Sequence, residues 1–305
     1  MVECLRSMVL ALVAVSTVSA QAVTVTDDAQ QVVTVKAEVR RVVSLLPSLT
    51  ETVCALGACN RLVGVDRYSN WPASVQALPK LGGGIDPSIE AVVAQRPDLV
   101  LMAGSTRGAD RLQSLGITVL RLEPRTRADA QRVMLTVATA LGLPQSAVQQ
   151  TWQDIQTQVD QAVRQLTPQA RAQRVYVEVS PAPYGASESS FIGENLMRMG
   201  VANILPASMG PFPKVNPEFV VRAQPDVIMA GDSSRQSMLM RPAWPQLKAL
   251  REDRVCVFPQ AQADILVRAG PRMAEGARLM VDCLNRAAAK PRQAGQPAQP
   301  QAKGA

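Results

Sequence analysis

The 305-residue sequence contains no histidine. That absence removes the commonest general base, the Ser-His-Asp triad and the commonest zinc ligand. Ser44, Ser48 and Ser180 have no histidine to activate them, and no GxSxG nucleophile elbow is present. Gly82-Gly83-Gly84 is not followed by Lys and Ser or Thr, so it is not a phosphate-cradling P-loop. Asp66, Asp86 and Asp264 give no sign in sequence of forming an acid pair and read as surface or capping carboxylates. An enzyme is not expected, and neither is a metal site, because the chain lacks a CxxC pair as well as histidine. Also missing is a basic block with interleaved aromatics. The formal charge is +7, and without Lys290, Arg292 and Lys303 of the tail it falls to +4. Nucleic acid is therefore not an expected partner. Aromatics make up only 3% of the chain, which makes the position of each one informative.

No apolar run reaches the ~18 residues that span a bilayer. The N-terminus instead has the form of an export signal over residues 1–20: Arg6, an apolar stretch Met8 to Val15, and Val18-Ser19-Ala20 before Gln21. Cys4 precedes the apolar stretch and is not placed as a lipid anchor. Periplasmic export leaves Cys54, Cys59, Cys256 and Cys283, an even number that favours disulfides. Of three possible pairings, Cys54–Cys59 and Cys256–Cys283 each fall within one candidate lobe; free buried thiols are the alternative.

What is present is a repeat. Ser88 to Gly104 (SIEAVVAQRPDLVLMAG) and Asn216 to Gly231 (NPEFVVRAQPDVIMAG) share one pattern: an N-cap, a Glu, a short apolar helix, Pro-Asp, and a buried strand ending in Met-Ala-Gly. Glu90 and Glu218 each stand seven residues before the Pro, with the second strand one residue shorter. Around the first copy the chain alternates strand and helix. Gln21 to Ala37 gives a strand or loose arm, Arg41 to Leu46 a strand, and Ser48 to Glu51 a helix start with Ser48 as cap. Leu62 to Val65, Leu99 to Met102 and Ile117 to Leu122 are further strands, and Ala109 to Leu115 is a helix.

From Ala128 the texture changes to a long helical tract, broken at Gly142-Leu143-Pro144. Its second part carries Val148, Trp152, Ile155, Val159 and Val163 at helical spacing. Its 22 residues span roughly 33 Å, enough to cross a domain, and are read as a connector over 144–168. A helical connector implies little hinge closure. The second lobe, 169–288, has strands Arg174 to Val179 and Arg254 to Phe258, a helix Phe191 to Met199, a helix Trp244 to Leu250, a loop Gln260 to Pro271 and a last helix from Arg272. The tail, 289–305, is rich in Pro, Gln, Ala and Gly and is expected to be disordered. The fold class is thus α/β: two Rossmann-like lobes with central parallel sheets, the first over 21–143, joined by a single long helix.

In open α/β sheets ligands bind at the carboxyl ends of strands. Tyr68, Trp71, Tyr184 and Phe212 fall in loops at that edge, as do Asp264 and Arg268. The rings serve either as a rigid binding wall or as plugs of small local cores. Glu90 and Glu218 sit where a helix dipole favours an acid, worth about 0.3–1 kcal/mol, and equally where two outward acids could dock a partner.

RVVSLLPSLTE, LVGVDRYSNWP, the SIEAVVAQRPDLV repeat, LQSLGITV, FPKVNPEFVVRAQPDVI and RAGPRMAEGARLMVDCLN together resemble the substrate-binding proteins of ABC importers, helical-backbone class (class III periplasmic binding proteins). The likeness runs from about Arg40 to Arg286 and is greatest to the vitamin B12-binding members; siderophore and haem binders are relatives. The resemblance implies a monomer that binds a small-molecule ligand, a corrinoid such as cobalamin or alternatively a ferric siderophore or haem, with no further cofactor. It implies ligand contacts at Tyr68, Tyr184, Phe212, Asp264 and Arg268, with Trp71 beside them. It also implies docking of Glu90 and Glu218 onto arginines of an inner-membrane permease. Two family tryptophans are replaced, one within Gly82-Gly83-Gly84 and one at Ala103 or Gly104, which leaves room for a different ligand. The family's inter-helix disulfide is altered as well: Cys283 is present, but Met197 and Met199 occupy the other helix. A periplasmic enzyme or a sensor domain is the reading from another class.

Overall fold

Short runs of β-branched and aliphatic residues become the inner strands of two parallel sheets. The computed structural model describes residues 22–290; the expected export signal and the tail beyond Lys290 lie outside them. The chain opens with a hairpin, β1 (Val23–Thr26) and β2 (Val32–Val35), paired antiparallel. This resolves the strand-or-arm alternative in favour of an attached hairpin. Asp27 takes the Arg121 guanidinium at 3.0 Å, and the Asp28 amide donates to the Arg121 carbonyl at 2.8 Å.

The first lobe holds β3 (Val42–Ser44), α1 (Pro47–Ala55), β4 (Leu62–Val65), α2 (Ile89–Ala94), β5 (Leu99–Met102), α3 (Ala109–Ser114) and β6 (Val119–Arg121). Its sheet is wholly parallel in the order β4-β3-β5-β6. Then come α4 (Arg127–Ala140), α5 (Gln145–Arg164) and α6 (Pro168–Arg171). The second lobe contains β7 (Arg174–Ser180), β8 (Tyr184–Gly185), α7 (Phe191–Arg198), β9 (Ala202–Asn203), α8 (Pro217–Ala223), β10 (Val227–Gly231), α9 (Asp232–Leu239), α10 (Lys248–Arg251), β11 (Val255–Phe258), α11 (Gln260–Leu266) and α12 (Met273–Ala289). Here β11, β10 and β7 run parallel, with β8 antiparallel to β7 and β9 parallel to it.

The repeated stretch has one architecture in both lobes. Ser88 and Asn216 cap α2 and α8 by accepting from the amides of Ala91 and Glu218. Arg96 and Gln224 then turn the chain at positive φ, 47° and 46°, just before the Pro. The Asp after each Pro reaches back to the start of the neighbouring parallel strand. Asp98 accepts from the amides of Arg40 and Arg41 at 2.8 and 2.9 Å; Asp226 accepts from the amide of Arg174 at 3.0 Å. Burial raises the Asp98 carboxyl, but Lys36 and the two amides outweigh it and leave the group below the usual carboxylate range. The Pro-Asp pair therefore sets strand register, a structural task.

The 20-residue α5 buries Val148, Ile155, Val159 and Ala162 on one face. One apolar cluster runs from Leu49 and Val53 of the first lobe through that face to Val177, Met280 and Leu284 of the second. Across the same region the Arg127 amide donates to Glu194 at 2.7 Å, and the Phe191 amide to the Arg125 carbonyl at 2.9 Å. A core shared around a helix makes a stiffer joint than two extended strands. Cys54 and Cys59 stand at disulfide distance at the end of α1. Cys256 and Cys283, on β11 and α12, do so with Cα atoms 5.8 Å apart. Cys283 thus meets β11 rather than the helix that carries Met197 and Met199.

Several local expectations are corrected. Ser48 is not a cap: Pro47 sets the first helical turn, Leu46 is the N-cap, and Ser48 and Glu51 lie buried inside α1. Gln260 to Pro271 is not all loop, because α11 follows Pro259. The Arg235 to Leu250 stretch holds α9, a short 3₁₀ turn at Trp244–Gln246 and α10, instead of one helix from Trp244. In the second copy of the repeat the strand is longer than in the first, running through Gly231, not shorter. Ala289 still belongs to α12, and Lys290 pairs with Asp253 at 2.7 Å.

Candidate ligand-binding site

The first lobe offers a loop held from beneath. Where β4 ends, Asp66 turns inward and accepts from the Tyr68 amide at 2.8 Å and the Ser69 hydroxyl at 2.5 Å. Thr50 Oγ1 bridges the hydroxyls of Ser44 and Ser69, each at 2.8 Å. Lys80 donates to the Ser69 carbonyl at 2.8 Å. Burial pushes the Asp66 carboxyl up, against the Ser69 and Tyr68 hydrogen bonds and the charge of Arg268. Desolvation likewise lowers the Lys80 ammonium, opposed by Asp66. These buried bonds fix the loop whose tip presents Tyr68, 59% exposed, and Trp71, half-buried under the Arg272 guanidinium at 4.9 Å.

The second lobe contributes a pocket at the carboxyl ends of β7, β10 and β11, closed by α11. Its cavity is about 100 Å³ and its lining includes Glu178, Ser233, Ser234, Gln260 and Asp264 but no Lys or Arg. Glu178 is fully paired. Arg241 grips it with two nitrogens at 2.6 and 3.0 Å, and the Tyr176 hydroxyl donates to it at 3.2 Å. The guanidinium also stacks 4.3 Å from the Trp244 ring centre. Burial, then the Glu178 charge, pushes the Tyr176 phenol well above its ordinary value.

The two lobes meet in a polar seam. Arg268, 7% exposed, reaches Glu51 at 2.7 Å and Asn70 at 2.8 Å on the first lobe and Asp264 at 2.9 Å on its own. Asn70 Nδ2 donates to Asp264 at 2.8 Å. Desolvation raises the Glu51 carboxyl, opposed by the Arg268 hydrogen bond and charge and by Arg272.

Trp71, Asp264 and Arg268 therefore come together at the seam. Tyr68 joins through its backbone carbonyl, a 3.0 Å acceptor for Arg268, while its ring stays outside. Tyr184, 40% exposed on β8, lies beside the segment of Lys214 in a separate group with Phe212. Phe212 packs edge-on to Phe191 at 6.0 Å and is half-buried, so it belongs to local packing. Glu90 and Glu218 are both exposed, Glu218 with Arg222 at 4.0 Å. Sequence reasoning missed Glu178, Arg241, Asn70 and Glu51. Glu178 had a readable signal, a lone charge in the otherwise apolar strand VYVEVS. Among the described residues no helix is long and apolar enough to cross a membrane, and no three His, Cys, Asp or Glu converge as a metal site.

Residues 42–261 match the periplasmic binding protein family. The chain belongs to it. An uncharacterised ABC transporter substrate-binding lipoprotein of Bacillus subtilis is 28% identical over 86% of this chain and 85% of its own. A vitamin B12-binding protein of Pectobacterium carotovorum is 26% identical over 67% of this chain and 76% of its own. Among solved structures, a periplasmic haem-binding protein of Roseiflexus sp. RS-1 superposes with a TM-score of 0.68 at 23% identity, covering 82% of this chain and 99% of that one. The proteins that this periplasmic binding protein matches are substrate-binding proteins rather than enzymes, and the two-lobed fold is theirs.

Proposed function

We propose that this periplasmic binding protein is the substrate-binding component of an ABC importer. As a monomer exported to the periplasm, it captures a corrinoid, vitamin B12-like cargo between its lobes. It then presents the cargo to the inner-membrane permease through Glu90 and Glu218. The observation that carries the corrinoid reading is the second-lobe pocket: apolar and neutral polar groups with two acids, each already ion-paired with an arginine, Arg241 or Arg268, so that no unpaired cation lines the wall. A ligand rich in neutral amides suits such a wall, whereas carboxylate-bearing ligands such as haem and many ferric siderophores draw on Arg and Lys. The vitamin B12-binding relative supports the same assignment. Haem or a ferric siderophore is the second reading. It is favoured by the exposed phenols of Tyr68 and Tyr184, since tyrosinate ligates ferric iron.

Calorimetric titration of the purified protein with cyanocobalamin, haemin and a ferric siderophore separates these readings. The expected result is one cyanocobalamin per chain with Kd of about 1 μM or below, and binding of the other two at least about tenfold weaker. Saturation by haemin or the siderophore alone would replace the corrinoid by that ligand. Binding of none would overturn the transport reading as stated.

A further inference from the structure

Both terminal nitrogens of Arg268 are committed. Nη1 donates to Glu51 Oε1 and Asn70 Oδ1, and Nη2 to the Tyr68 carbonyl and Asp264 Oδ2, all between 2.7 and 3.0 Å. Three of the four acceptors lie on the opposite lobe, and Asn70 Nδ2 returns the connection to Asp264. A ligand that takes the terminal nitrogens of Arg268 must therefore exchange one of these bonds for its own. The neighbouring cavity, about 100 Å³, is also well short of the roughly 300–1,000 Å³ of ordinary ligand pockets. That cavity is lined by second-lobe residues alone, so the way from it to the first lobe runs through the bonds of Arg268 and Asp264 to Glu51, Asn70 and Tyr68.

We propose that Glu51 and Asn70 of the first lobe clasp Arg268 and Asp264 of the second, and that this clasp gates the ligand site by competing with the cargo for Arg268 and Asp264. Glu51 is a positioning residue in this scheme. It lies 217 residues from its partner, is 1% exposed, and aims Arg268 across the seam. Its second oxygen, Oε2, is buried without a hydrogen-bond partner. An unsatisfied buried acceptor weakens the clasped arrangement and lowers the work of release. Amide groups of the cargo then take over the roles of Asn70. The inference rests on the ligand site proposed above and adds the order of events, release first and capture second. It also assigns the kinetic cost of entry to four named side chains.

The test attaches nitroxide labels at two exposed positions, Leu115→Cys in the first lobe and Met240→Cys in the second, 46% and 82% exposed. The distance distribution between labels is recorded without cargo for the parent, Asn70→Ala and Glu51→Gln. The association rate of cyanocobalamin is measured on each. Both variants are expected to raise the population at longer distances about tenfold, the equivalent of ~1.4 kcal/mol. They should speed association by a similar factor, because only the parted state admits cargo. A merely structural role would lower stability without raising the association rate. Asn70 is exposed, so Asn70→Ala folds and decides the matter even if Glu51→Gln does not. Distances unchanged in Asn70→Ala overturn the clasp. If the parent binds no cyanocobalamin, the corrinoid reading fails while the distances alone still decide for or against the clasp.

Discussion

Replacement of both Glu90 and Glu218 by alanine is expected to cut uptake through the permease by at least about tenfold while the affinity for cargo stays within about twofold. The two acids occupy equivalent places in the first turns of α2 and α8, one per lobe, and both are exposed. Neither is needed for the fold. The caps of these helices come from Ser88 and Asn216, and an exposed acid in a first turn contributes only about 0.3–1 kcal/mol. Neither lines the pocket or joins the seam, so the loss falls on delivery and not on capture. Single variants should lose less, because each leaves one lobe docked and the linked contacts reinforce one another. Lysine at both positions should be worse than alanine, since the proposed docking would then set like charges against each other. Cargo-dependent stimulation of the permease ATPase reads the effect directly. Full stimulation by the double variant would reduce both acids to helix-end residues.

The largest effect on stability is expected at Glu178. Its carboxylate is buried at the carboxyl end of β7 and holds Arg241 by two hydrogen bonds, with the Tyr176 hydroxyl as a third donor. Glu178→Ala leaves the guanidinium against the Trp244 ring with only the Pro181 carbonyl and Ser237 hydroxyl as partners. Breaking one side of such a pair costs about 3–5 kcal/mol, more than an exposed salt bridge by several-fold. Removing both charges, as Glu178→Leu with Arg241→Met, should recover much of the loss, since two apolar side chains leave no uncompensated ion. Urea unfolding at neutral pH measures both. A loss below about 1 kcal/mol for Glu178→Ala would show that water or movement of Arg241 satisfies the charge.

The parts of this molecule legible in the sequence are those governed by neighbours in the chain. Leu62–Val65, Leu99–Met102 and α7 stand where β-branched runs, prolines and glycines place them. The repeated Pro-Asp motif has the same task in both lobes because the partners of Asp98 and Asp226 are fixed by strand order. Ser48 misled because a Ser-x-x-Glu spacing resembles a capping box, while Pro47 beside it starts the helix two residues sooner. The short α11 was hidden by its small size and by Pro259, which reads as loop punctuation yet suits a helix start. The seam itself was illegible: Arg268 meets Glu51 across 217 residues and Asn70 across 198, and no local pattern encodes such pairings. The resemblance names Arg268 as a ligand contact; what it does not reveal is the burial of that guanidinium among acceptors of the other lobe.

The measurement that bears most directly on capture between the lobes is amide hydrogen exchange with and without cyanocobalamin. The loop 66–71 of the first lobe and the segments 229–234 and 260–268 of the second should slow together on binding, while α2 and α8 exchange as before. Protection confined to one lobe, or appearing on α2 and α8 instead, would contradict a cargo held between the two.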